Sequence, residues 1–560
     1  MSIDAITIQV LRNKIASLVD EMHYHFYRSG YSTIIRESRD FSCVVLDRDG
    51  RLIVSPPMFF HAPVYRHLIG RVLEIYGPKG DNTLRGGDVF VSNHPYEGGM
   101  PHVSDMAFVA PVFAPKEAGG GLIAFTGSIA HKADIGGTVP GSTSATATEI
   151  FHEGLLLPPV RICDGGTFNT DLERLILANS RQPELVRGDM RAQIAVTAGG
   201  VGRVQEFATR FGSETLTEAF AAILSGSAEA LRERVKALPE GTAEAEGFMD
   251  SDGIDVDRPI RLHCKIEVKD GTVTFDFSKS APQARGPINL RPSMCEACGF
   301  YALIGALGPD LHFNDGMRDV ARFVYAPKTV TNASPPSPVS SYQATNLKLV
   351  DVILEALAHF VPKRATANAG SSGALSIAWS KGRPGQSSMQ YEILGSAYGA
   401  GPGHDGASAT ATHLSNLHIT PIEILESEFP CRVTRFEMVP DSGGPGAFRG
   451  GLAFRREYVL LEDATVIRRY DRAKFPPNGI EGGGPGRASR FVIRLGMPNE
   501  TVTPASGRFE MKKGERFLLE SAGGGGYGDP EKREAARLAG DRREGYVTAD
   551  AARKDYGARD

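Results

Sequence analysis

Six cysteines in 560 residues are too few for a disulfide framework, so a reducing compartment is expected. A basic excess is also lacking. There are 62 Lys and Arg against 66 Asp and Glu, a formal net charge of −4. That argues against nucleic acid and membrane surfaces as partners, since both need a basic patch. No apolar run reaches the roughly 18–20 residues of a membrane helix. The N-terminal stretch carries Asp4, Arg12, Lys14 and Asp20. It therefore lacks the basic start and unbroken apolar core of a signal peptide, and a cytoplasmic protein is expected. The 64 Gly and 35 Pro fall short of a disordered composition. No GxxxxGK[ST] phosphate loop and no GxSxG nucleophile elbow is found.

What is present is an ordinary globular mixture, 41% hydrophobic and 23% charged. At about 150 residues per domain, the length suggests three or four parts. The pattern predicts an α+β chain with a helical N-terminal segment, a mixed α/β middle and a β-rich C-terminal region. The expected parts are 1–240, 241–420, 421–529 and a charged helical tail, 530–560. Ile8, Leu11, Ile15, Leu18 and Met22 recur at helical spacing, with Asp4 as N-cap. Phe41 to Leu46 and Arg51 to Ser55 flank Asp47-Arg-Asp-Gly50, a hairpin signal. Met106 to Phe113 and Leu122 to Ala130 read as a second hairpin around a Pro/Gly-rich loop. Residues 171–237 read as helical with a break at Gly199-Gly-Val-Gly202. Residues 238–258 read as an acidic connection, and strands flank Asp270-Gly271. Further helices are expected over Met294 to Leu307 and Leu347 to Phe360. Ordered loops are expected over 366–415 and an all-β region from Pro421 to Leu519.

Chemistry concentrates in Ser92-Asn-His-Pro-Tyr-Glu-Gly-Gly-Met-Pro-His-Val-Ser-Asp105. Its glycines and prolines hold unusual backbone conformations. His102 and Asp105 are three apart and can face the same way. Asp105 and His131 are both centred on residue 118, inside the loop of the second hairpin. That hairpin therefore sets His131 beside Asp105 and His102. Two imidazoles and a carboxylate suit a divalent ion such as Mn, Zn or Fe. Asp40 is a candidate fourth ligand that spacing alone does not place. The alternative is that both histidines only hydrogen-bond loop backbone.

Other motifs read as structural. Cys295-Glu-Ala-Cys298 is a lone CxxC without a partner pair, better read as core cysteines. His152-Glu153 lacks the second His of a zinc helix. The tracts Gly482 to Gly486 and Gly523 to Gly528 are not set between a strand and a helix, so they read as turns. His61, His67, His94, His404 and His413 read as structural or solvated, and the Arg36-Glu37 and Arg39-Asp40 pairs as surface charge.

These residues also form an ordered series. It runs through Arg36-Glu-Ser-Arg-Asp-Phe-Ser42, Gly87 to Gly99, His102-Val-Ser-Asp105 and Ala130-His-Lys-Ala-Asp-Ile-Gly-Gly137. It continues with Arg285-Gly-Pro-Ile-Asn289, Thr420-Pro-Ile-Glu423, Pro440-Asp-Ser-Gly-Gly444, Arg449-Gly-Gly451 and Gly524 to Pro530. In this series the chain resembles, over essentially its whole length, the hydantoinase B/oxoprolinase family of HyuB-like subunits. The resemblance implies a metal held by Asp40, His102, Asp105 and His131. It implies a HyuA-like partner that supplies ATP chemistry in a hetero-oligomer. The implied reaction is ATP-dependent opening of a cyclic amide, as with hydantoins, oxoproline or lactams. The alternative is ATP-dependent carboxylation of a ketone. Asp134 and Glu97 are candidate proton acceptors by proximity in the chain. Two departures from the family pattern are Lys132, where many relatives carry a second His, and His94, where many carry Asp.

Overall fold

The N-terminal apolar stripe forms a helix. In the computed structural model, which describes residues 3–379 and 388–558, α1 runs Ala5–Ser29. The Asp4 carboxylate accepts from the N–H groups of Ile6 and Thr7 at 3.0 Å each, satisfying donors that a helix start leaves open. Leu11, Ile15, Leu18, Met22 and Phe26 are buried along one face. A short π-turn, Ile34–Ser38, follows and ends on Arg39 in the left-handed region at φ 55°. That conformation costs a side-chain-bearing residue roughly 1–2 kcal/mol. It delivers Asp40 to the start of β1 (Phe41–Asp47).

The return strand expected at Arg51 to Ser55 does not form. Only the single bridge Leu46↔Leu52 joins the two segments. The Asp47 carboxylate holds the turn by accepting from the N–H groups of Asp49 and Arg51. The N–H of Leu52 donates to Asp315 Oδ2 at 2.7 Å, so this donor is spent on a side chain. After α2 (Val64–Tyr76) and β2 (Val89–Ser92) comes the second hairpin, β3 (Asp105–Phe113) and β4 (Leu122–His131). Its register pairs Asp105 with His131, the symmetry expected about residue 118. β1 takes the other edge of β4. With β5 (Val160–Asp164) and β6 (Thr167–Phe168) the six-stranded sheet reads β1-β4-β3-β2-β5-β6.

Next come α3 (Thr170–Ala178), α4 (Pro183–Phe211) and α5 (Ser213–Lys236). The break expected at Gly199 to Gly202 is not there, because α4 runs straight through it. A Cβ at Gly200 would stand 2.9 Å from the Met22 thioether. The glycine lets α4 lie tightly on α1 rather than ending the helix. The expected acidic connection 238–258 is largely a strand, β7 (Gly241–Met249), paired with β8 (Ile260–Lys269). Its acidic residues face outward, where Glu246 pairs with Arg261 and Glu244 with Lys279. β9 (Thr272–Asp276) and, beyond α6 (Pro292–Leu307), β10 (Ala321–Val324) complete a four-stranded sheet. α7 (Tyr342–Ala358) packs against α6. One buried cluster joins Val44 and Phe90 of the first sheet to Phe275, Phe300 and Leu349.

Of the 366–415 stretch expected as loops, Gly373–Trp379 is β11 and Met389–Leu394 is β12; residues 380–387 lie outside the described residues. The expected all-β region opens with a helix, α8 (Ile422–Glu428). Seven strands follow: β13 (Cys431–Met438), β14 (Phe454–Leu460), β15 (Ala464–Arg469), β16 (Arg490–Ile493), β17 (Thr501–Val502), β18 (Gly507–Met511) and β19 (Arg516–Glu520). With β11 and β12 they form two sheets, β12-β11-β15-β18 and β13-β14-β19-β16-β17. The tail holds α9 (Ala535–Arg543) and α10 (Ala549–Tyr556).

Candidate functional site

The β3/β4 register fixes the centre of the site. Asp105 opens β3 and His131 closes β4, so both reach the same end of the hairpin. Backbone bonds lock the neighbours in place. The N–H of His131 donates to the Asp40 carbonyl at 3.2 Å, and the N–H of Lys132 to the Ser104 carbonyl at 2.8 Å. Asn93 braces the loop that carries His102. Its Nδ2 donates to the carbonyls of Val103 (2.9 Å) and Leu155 (2.8 Å), and its Oδ1 accepts from Leu157 N–H (2.7 Å).

The side chains then converge. His102 Nε2 lies 3.0 Å from Asp105 Oδ1, and His131 Nδ1 lies 3.3 Å from the same oxygen. One donor atom from each of these three residues lies within 4.8 Å of the others. Asp40 Oδ2 stands 3.9 Å from His131 Nδ1. His61, from the turn before α2, puts Nε2 3.6 Å from Asp105 Oδ2. All five residues are buried.

Burial strains the charges here. Desolvation raises the Asp40 carboxyl to about 7, helped by the negative charge of Asp105. Desolvation also pushes His131 down to about 4, leaving its imidazole neutral. Asp105 feels the same burial, but the charge and hydrogen bond of His102, with a hydrogen bond from His131, hold it well below the usual carboxylate range. Several polar atoms remain without a partner: Asp40 Oδ1, Asp105 Oδ2, His102 Nδ1, His131 Nε2 and both nitrogens of His61. Buried polar atoms are nearly always paired, so such a concentration needs a reason. Nitrogen and carboxylate donors of this kind match Mn, Zn or Fe.

The other sequence candidates fall elsewhere. Asp134 is buried but fully committed. It accepts from the N–H groups of Gly136 (3.1 Å), Gly141 (2.9 Å) and Arg181 (2.8 Å), and from Arg181 Nη1 (2.9 Å). It organises its loop and has no lone pair free for a proton. Glu97 is exposed, whereas the cluster is buried. Lys132 is buried, donates to Gln193 Oε1 and to the Ala130 carbonyl, and is lowered to about 8 by burial. His94 accepts the N–H groups of Tyr96 and Glu97 on Nδ1, shaping the loop. Cys295 and Cys298 are buried core residues with Sγ on the carbonyls of Thr331 and Asn346. Glu153 caps the N–H groups of Val339 and Ser340 at 2.7 Å each.

Four residues at the site escaped sequence reasoning. His61 read as structural, although Phe59 and Phe60 beside it signal burial. Tyr391 of β12 stacks on His131, with ring centroids 4.3 Å apart and planes 13° apart. Tyr342, opening α7, meets His102 edge-on at 5.1 Å. Arg469 of β15 places its guanidinium 5.5 Å from the Tyr391 ring, with Nε and Nη2 unpartnered. Each lies tens to hundreds of residues from the hairpin, and no local pattern announces it.

A protein of Pseudomonas sp. (strain NS671), provisionally named as the B-type subunit of a D-/L-hydantoinase, is 31% identical over 99% of this chain and 95% of its own length. Two solved structures share the fold. The crystal structure of ATP-dependent caprolactamase from Pseudomonas jessenii matches with a TM-score of 0.90 at 24% identity, over 100% of this chain and 96% of that one. The nucleotide-free structure of acetone carboxylase matches with a TM-score of 0.89 at 18% identity, over 99% and 79%. The family model for hydantoinase B/oxoprolinase matches residues 4–530, and the chain belongs to that family.

Proposed function

We propose that this chain is the metal-binding subunit of an ATP-dependent cyclic-amide hydrolase that works with a HyuA-like subunit. The carrying observation is the buried cluster of Asp40, His102, Asp105 and His131 with its unpartnered donor atoms. It lies in a chain whose full-length relative is named as one subunit of a hydantoinase. When bound there, a divalent ion supplies Lewis acidity toward a carbonyl and acidifies water.

The protein's own residues prepare that site. His131 is held neutral by burial, so no proton has to leave its imidazole before a lone pair is offered. Asp105 stays ionised and provides the negative charge. Tyr391 and Tyr342 wall the imidazoles, fix their planes and exclude water. An amide is a poor electrophile. Transfer of a phosphoryl group from ATP to its oxygen, on the partner subunit, makes the carbonyl carbon electrophilic. Water then adds, the ring C–N bond breaks as nitrogen takes a proton, and hydrolysis of the resulting acyl phosphate releases the carboxylate and phosphate. The sequence has no phosphate loop, which is consistent with ATP being handled by the partner. No helix among the described residues is long and apolar enough to cross a membrane.

The test has two parts. Elemental mass spectrometry of the purified chain is expected to find near one metal per chain, lost in His102→Ala with Asp105→Ala. ATP turnover of the co-expressed complex is then measured with hydantoins, oxoproline and lactams. Stimulation by a cyclic amide is expected. Silence across that panel, with incorporation of labelled bicarbonate into a ketone product, would convert the reading to the carboxylase one. Metal absent from both the chain and the complex would overturn the site itself.

A further inference from the structure

A second feature lies on the outer side of the loop that carries His102. A cleft of about 540 Å³ is lined by Arg66, Arg71, Arg291 and Arg318, with only Glu74 and Glu296 as acidic counterparts. Its size suits a small-molecule ligand, for which pockets of roughly 300–1,000 Å³ are usual. The four arginines are not equivalent. Arg71 is paired with Glu74, and Arg318 with both Asp315 (2.6 Å) and Glu296 (2.7 Å). Arg66 and Arg291 have no carboxylate within ion-pair distance among the described residues. Arg291 lies 4.6 Å over the Tyr96 ring and donates through Nη1 to the Ala333 carbonyl, which leaves Nε without a partner.

One wall of the cleft is closely packed. Gly99 forms part of one wall, with Ser293 Oγ donating to its carbonyl at 3.2 Å. A Cβ at Gly99 would stand 2.9 Å from the His67 side chain, and φ there is +75°. The same wall leads within three residues to His102. The chain as a whole is acidic, so two uncompensated guanidinium groups facing one cavity stand out against it. Guanidinium groups bind phosphate oxygens through paired N–H donors, and an arginine without a carboxylate partner keeps its charge uncompensated.

We propose that this cleft is an anion subsite, in which Arg66 and Arg291 hold the phosphoryl group of a small molecule. The site is separate from the metal cluster and does not depend on it. Two sources share the chemistry, a free phosphate and a nucleotide phosphate, and titration separates them.

The experiment is isothermal titration of the full-length chain with inorganic phosphate and, separately, with ATP. The variants are Arg66→Gln and Arg291→Gln, with Arg174→Gln on exposed α3 as a charge control. Metal content and melting temperature are recorded for each protein. Saturable binding of at least one probe is expected in the wild type. Arg66→Gln is expected to weaken it by about tenfold or more, and the control to leave it unchanged. Arg66 is exposed, so its variant is expected to keep the wild-type melting temperature even where Arg291→Gln does not. Phosphate bound as well as ATP identifies a free-phosphate site; ATP alone identifies a nucleotide site. The proposal is overturned by no binding up to roughly 10 mM, by Arg66→Gln binding as wild type, or by equal weakening in the control. Metal content is read independently, so loss of metal binding and loss of anion binding are distinguishable failures.

Discussion

Two buried clusters of histidine and aspartate sit in this molecule, and they differ in what neutralises them. In the second, Asp351 accepts from His413 Nε2 at 2.9 Å and from Ala369 N–H at 3.0 Å, and forms an ion pair with the fully buried Arg472. Burial acts against the Asp351 carboxylate, but Arg472 and His413 overcome it and hold the group down to about 2. In the first cluster no arginine forms an ion pair with the carboxylates among the described residues. Asp40 is instead driven up to about 7, and six donor atoms stay unpartnered. The residue types are alike and the burial is alike. What separates the structural knot from the candidate site is the arginine that neutralises the carboxylate of one and has no counterpart at the other.

Several substitutions would break or sharpen that contrast. Arg472→Met is expected to be the most damaging to the fold, because it strands a buried carboxylate. A loss of about 3–5 kcal/mol is expected, read from denaturant unfolding, with metal content unchanged. If Arg472→Met is instead nearly neutral, the second cluster is not the structural knot described.

Each cluster also has a buried lysine beside it, and Lys348 belongs to the second. Burial, with the charge of Arg472, lowers it to about 8 from 10.5. Its folded value lies below its unfolded value, so the unfolded chain holds more protons between pH 8 and 10.5. Its contribution to stability therefore rises with pH across that window, by about 3 kcal/mol in total. Lys348→Met is expected to flatten that part of the stability profile. An identical slope in the variant would remove Lys348 from the account.

At the first cluster the expected effects are on metal rather than on folding. His102→Ala is expected to weaken metal binding by roughly 100-fold or more, since outer partners alone are worth 10–100-fold. Competition with a chelator measures it. His61→Ala is expected to show the smallest change, about tenfold, because His61 faces Asp105 from the far side. An effect of His61→Ala as large as that of His102→Ala would make His61 a ligand itself.

The legibility of these regions differs as much as their chemistry. The β3/β4 hairpin could be read because an antiparallel pair has a centre, and the Pro/Gly-rich loop marks it. Once the loop is placed, Asp105 must face His131. Nothing comparable marks β1, which pairs with β4 along its length and keeps only the Leu46↔Leu52 bridge to the return segment. The glycine tracts show the opposite failure. They read as turns, yet they pack backbone on backbone. Gly524 N–H donates to the Gly451 carbonyl at 2.9 Å and Gly444 N–H to the Gly524 carbonyl at 2.8 Å. A Cβ at Gly524 would stand 1.9 Å from the Tyr398 carbonyl oxygen. Composition announces glycine, but not which segment presses against it.

The sequence by itself determined the α+β class, the first helix with its cap, the hairpin register and the meeting of His102, Asp105 and His131. It also carried enough ordered motifs to identify the family. These follow from local periodicity and from pairing about a short loop, which depend on nearby residues alone. Only the tertiary structure decided that Asp134 is a spent loop brace, that His61, Tyr342, Tyr391 and Arg469 surround the cluster, and that Arg66 meets Arg291 across a cleft. Those contacts join residues far apart in the chain, and they are set by which faces the folded core brings together rather than by any spacing along it.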